Sequence, residues 1–95
     1  MTRISIESDQ RETVISLVKS SLAMQHKVLQ AGLERAKARL RAFEKEFGQS
    51  SQKFYRAYQM GKMGDEEKVM ERAGEWETYQ ELKKDLELLK GTKML

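Results

Sequence analysis

Apolar residues recur at seven-residue intervals along the first half of the chain. Ile15, Leu22, Leu29, Ala36 and Phe43 form one row, and Leu33, Leu40 and Phe47 follow the last three of these by four positions. Two rows offset in this way make a heptad seam on an α-helix. Val14, Val18 and Val28 widen the stripe toward the N-terminus. Ser8 or Asp9 suits the helix cap, Glu12 suits the first turn, and Gly48 suits the stop. The pattern predicts one long helix over 9–48. A short helix is expected over 50–61, opened by Ser50 or Ser51, carrying Phe54, Tyr55, Ala57 and Tyr58, and closed by Gly61. The turn at Gly64 and Asp65 leads into a third helix over 65–91. Its apolar face runs through Val69, Ala73, Trp76, Tyr79, Leu82, Leu86 and Leu89, and Gly91 ends it.

Ahead of the long helix, Ile4 and Ile6 alternate with Arg3, Ser5 and Glu7 in a period of two. That arm, 1–8, reads either as a short strand, which needs a partner strand, or as a terminus with two isoleucines tucked against the helix. The fold class is therefore all-α: long helix, short helix and medium helix in one domain, folded as an elongated hairpin. A seam as long as that of the first helix needs a facing helix of similar length. An intramolecular hairpin and a homodimer both supply one. The chain has 95 residues, of which 39% are hydrophobic and 35% charged. So little core material in so short a chain favours a shared core, and a coiled-coil-like homodimer through the first helix is expected.

Composition narrows the chemistry. Cysteine is absent, which removes disulfides and thiolate metal sites. His26, the only histidine, falls on the seam among Leu22, Leu29 and Leu33. A lone histidine does not make a zinc site, and the bland reading, a polar seam residue, is preferred to a metal ligand or proton switch. No glycine-rich phosphate loop, dinucleotide fingerprint or nucleophile elbow occurs, so neither catalysis nor a cofactor is expected. Neither a membrane span nor a signal peptide is legible, and a cytoplasmic location is expected.

Charge is unevenly placed. Residues 1–62 carry 12 basic and 6 acidic side chains, and residues 63–95 carry 6 basic and 9 acidic. On the first helix, Lys37, Arg41 and Lys45 are four apart, with Arg35 and Arg39 as a second row. Such a face attracts phosphates, so Arg35, Lys37, Arg39 and Arg41 are the candidate nucleic-acid contacts; Glu34, Glu44 and Glu46 dilute the field, and a solvated face is the preferred reading. On the third helix, Glu67, Glu71 and Glu75 are also four apart, a spacing at which like charges destabilise a helix by about 0.2–0.5 kcal/mol per pair. Lys68 and Arg72 moderate this repulsion. Either the basic rows or a basic partner surface offsets the rest. Trp76 adjoins Glu75 and serves as core packing or as an interface anchor. Gly74, inside the helix, suggests the close approach of another backbone.

From Phe43 onward the order of residues is specific: Phe47-Gly48, Ser51, Phe54, Tyr58, Gly61-Lys62-Met63-Gly64-Asp65, Met70-Glu71, then Gly74-Glu75-Trp76 and Leu82, Leu86, Leu89. This half of the chain resembles small prokaryotic helical antitoxins encoded beside TumE-type toxins. The resemblance implies that the chain binds and silences a toxin encoded nearby, an RNA-acting one. Charge then places the partner contact on Glu67, Glu71, Glu75 and Trp76, since a nucleic-acid-handling toxin presents a basic surface. The alternatives are a nucleic-acid-binding helical module and a structural coiled-coil adaptor. The N-terminal part departs from a ribbon-helix-helix DNA-binding end, because the seam runs on where that fold needs a loop.

Overall fold

The computed structural model describes residues 8–91. Three helices follow in order: α1 over Ser8–Phe47, α2 over Ser51–Gln59 and α3 over Glu67–Lys90. The expected all-α hairpin is what forms. The strand reading of the arm lies outside the described residues, and Ser8 and Asp9, the expected caps, are already inside α1.

Glycine stops the helices where the sequence places it. Gly48 takes φ 65° just past α1 and donates its N–H to the Glu44 carbonyl at 2.8 Å. This left-handed conformation is nearly free only for glycine. Ser50 is the N-cap of α2, its hydroxyl accepting from the Lys53 N–H at 3.2 Å. Ser51 is the first helical residue instead, and its N–H donates to the Glu44 carboxylate at 2.8 Å. An acidic side chain of α1 thus satisfies a donor at the positive end of α2. Gly61 and Gly64 take φ 73° and 77° in the link to α3. Helix α3 starts two residues later than expected, with Glu66 as an N-cap whose side chain makes no capping bond.

The long arm of the hairpin is α1, and α3 returns antiparallel along its C-terminal half. Three contacts fix the register. Lys68 Nζ lies 2.9 Å from Glu46 Oε2, and Arg39 Nη1 lies 3.6 Å from Glu75 Oε1. A Cβ on Gly32 would stand 3.4 Å from Leu82 Cδ1, which sets these two residues level with one another. Seven residues back along α1 are matched by seven residues forward along α3, the antiparallel form of heptad packing. Leu33, Ala36 and Leu40 of α1, Phe54 of α2, and Ala73 and Leu86 of α3 form the core. Each buried leucine is worth about 1.5–3 kcal/mol against exposure. The seam is buried at its centre, half-buried at Phe43, Leu29, Leu22 and Ile15, and exposed at Phe47. The molecule is elongated, 60 × 27 × 20 Å.

Candidate partner-binding groove

Helix α2 is pinned to the hairpin by a buried cation. Arg72 is 1% exposed, and its Nη2 donates to the Gln49 carbonyl. The guanidinium lies 4.2 Å from the Phe54 ring centroid and 5.5 Å from that of Phe47. Burial lowers its pKa, and the Glu44 carboxylate acts in the opposite direction. In the sequence Arg72 reads as a surface charge moderating the acidic row. The structure turns it inward, so it is the aromatic rings and a backbone carbonyl that it serves. The signal was present: Arg72 shares the three- and four-residue spacing of Val69 and Trp76.

Beside this junction runs a line of rings. Phe54 and Tyr58 stack at 6.2 Å and Tyr58 and Tyr55 at 5.8 Å, while Trp76 meets Tyr55 at 6.3 Å and Tyr79 at 5.6 Å with tilted rings. The Tyr55 hydroxyl donates to Glu77 at 2.6 Å, and this bond raises the Tyr55 pKa, with burial and the carboxylate charge adding to it. Trp76 is half-buried here, in a hollow that it shares with Tyr79, Lys37 and Arg41.

The acidic row lies elsewhere. Between α1 and α3 an open groove of about 530 Å³ is lined by Ala42, Phe43, Gly74 and Thr78 together with the charged Arg39, Glu46, Glu71 and Glu75. Consecutive helical residues point about 100° apart, so Glu75 and Trp76 open onto different sides of α3. Glu75 is largely covered and meets Arg39, while Glu67 and Glu71 are exposed. The basic rows are split as well. Arg39 borders the groove; Lys37 and Arg41 lie on the Trp76 side; Lys37 pairs with Glu34 at 3.5 Å; Arg35 is exposed. No single basic face collects all four.

Gly74 differs from its sequence reading. Among the described residues nothing approaches it: a Cβ there would meet nothing within 4 Å. The groove itself occupies that space.

The chain matches no family model, no curated protein and no solved structure. Among the described residues no group of three or more His, Cys, Asp or Glu is placed to hold a metal ion. His26 is half-buried on α1. No helix among them is long and apolar enough to cross a membrane.

Proposed function

We propose that the chain is a protein-binding regulator that silences its partner by covering it, and that the partner seats in the groove between α1 and α3. The observation that carries this reading is Gly74. Glycine inside a helix costs about 1 kcal/mol relative to alanine. At Gly32 the Leu82 side chain lies at van der Waals distance from where a Cβ would stand. At Gly74 nothing within the described chain does. A partner side chain that inserts over Gly74, flanked by a basic group meeting the exposed Glu71, accounts for the glycine, while Arg39 already meets Glu75 within the hairpin. The resemblance to TumE-associated antitoxins supports the class of partner, a toxin that handles RNA and presents a basic surface. Masking is steric and electrostatic, and no bond is made or broken.

The test is co-expression of the tagged chain with the product of its neighbouring gene, followed by pull-down and a growth assay. A stable complex and rescued growth are expected. Gly74→Leu should keep or raise the thermal stability of the free chain, because the helix gains propensity and the space is open. It should nevertheless weaken the complex at least tenfold. Glu71→Lys should weaken it too, with helicity by circular dichroism unchanged. A Glu71→Lys/Gly74→Leu variant that binds as tightly as the native chain removes the groove from the mechanism. A harmless neighbour that does not co-purify removes the antitoxin reading.

A further inference from the structure

We infer that the N-terminal part of α1, residues 8–24, is a self-association surface that pairs antiparallel with the same segment of a second copy. The register of the hairpin defines this segment. Continuing the seven-residue steps beyond Gly32 and Leu82 sets residue 25 level with residue 89, and α3 ends at Lys90. The first 17 residues of the 40-residue α1 thus project past the end of α3. They span about 25 Å at 1.5 Å per residue.

The seam does not stop where its cover stops. Ile15, Val18 and Leu22 continue the face that buries Leu33, Ala36 and Leu40, and Val14 borders it. Val14 and Val18 are exposed. The segment gathers its charge at one end, Asp9, Arg11 and Glu12, with Lys19 alone after them. Residues 13–26 hold one lysine, Lys19, and His26 as their only ionisable side chains other than hydroxyls, in a chain that is 35% charged. Loss of charge from an apolar patch marks the centre of an interface rather than a solvated helix face.

Charge also chooses the occupant and its direction. Overlapping residues 8–24 on themselves in antiparallel sense sets residue 13 level with residue 19. Lys19 of each copy then falls one residue from Glu12 of the other, on the same flank, and the pair occurs twice about the dyad. In a parallel pairing the same flank of the two copies lies on opposite sides of the seam, so Lys19 and Glu12 do not meet across it, and only the antiparallel sense pairs these charges. The antiparallel overlap also fills the line that α3 leaves empty, without displacing α3. It leaves the groove at Gly74 open, so it stands or falls independently of the function proposed above.

The test is sedimentation of the full chain and its variants at micromolar concentrations. The native chain is expected to be a dimer. Lys19→Glu should weaken it about tenfold by reversing two symmetric pairs, and Glu12→Lys with Lys19→Glu should restore it to near the native value. Val18→Glu with Leu22→Glu should give a monomer, and in that variant the Gly74 groove should still bind its partner. A native chain that stays monomeric at hundreds of micromolar, or a dimer that survives Val18→Glu with Leu22→Glu, overturns the surface. A charge swap that fails to rescue overturns the antiparallel register.

Discussion

Arg72 is a charged side chain in a core position. It persists there because each part of it meets something: Nη2 the Gln49 carbonyl, and the guanidinium plane the rings of Phe54 and Phe47. Its Nε has no hydrogen-bond partner, which is the cost of the site. Removing the whole side chain exposes the rings and orphans the carbonyl. Arg72→Ala should therefore destabilise the chain by about 2–4 kcal/mol in urea unfolding. Arg72→Met keeps most of the volume and loses the bond and the cation, so about 1–2 kcal/mol is expected. Equal losses in the two variants would mean that packing contributes nothing at this position.

At the level of elements, α2 is a nine-residue helix that would not hold its shape alone in water. It is fixed at three points. Glu44 of α1 accepts from its first N–H, Arg72 of α3 lies against Phe54, and Tyr55 bonds to Glu77 of α3. The last of these is readable in solution. The Glu77 carboxylate accepts the Tyr55 hydrogen bond and raises that phenol above its ordinary value of 10.0. A raised folded-state pKa means that the stabilisation is fully present below the ordinary tyrosine range. It is lost as pH rises through the higher folded midpoint. Glu77→Gln should therefore lower the pH at which Tyr55 ionises, followed by tyrosinate absorbance. An unchanged titration would show that the bond does not hold in solution.

The whole molecule is an elongated hairpin, and its length separates its charges. Arg39 is matched by Glu75, Lys37 by Glu34 and Lys68 by Glu46, across or along the helices. A phosphate backbone binds a continuous basic stripe. Here Lys37 and Arg41 face one side of the hairpin and Arg39 the other. Short labelled DNA or RNA should therefore show no saturable binding in fluorescence anisotropy at physiological salt. Tight binding that falls steeply with salt would restore the nucleic-acid reading and move attention to the hollow where Lys37 and Arg41 adjoin Trp76 and Tyr79.

Local physics was enough for the sequence by itself to determine the helices. Heptad spacing defined α1, the serines at 50 and 51 marked the start of α2, and glycines at 48 and 61 stopped two helices, because periodicity and left-handed backbone are properties of neighbouring residues. The acidic row, too, was legible as spacing. Only the tertiary structure decided that Arg72 turns inward, that Glu75 and Trp76 open onto different sides, and that Gly74 faces an open groove while Gly32 faces the Leu82 side chain. Each of these depends on which face of α3 meets α1 and which meets α2. That choice was made by contacts between residues far apart in the chain, such as Arg39 with Glu75 and Arg72 with Gln49, which no local pattern encodes.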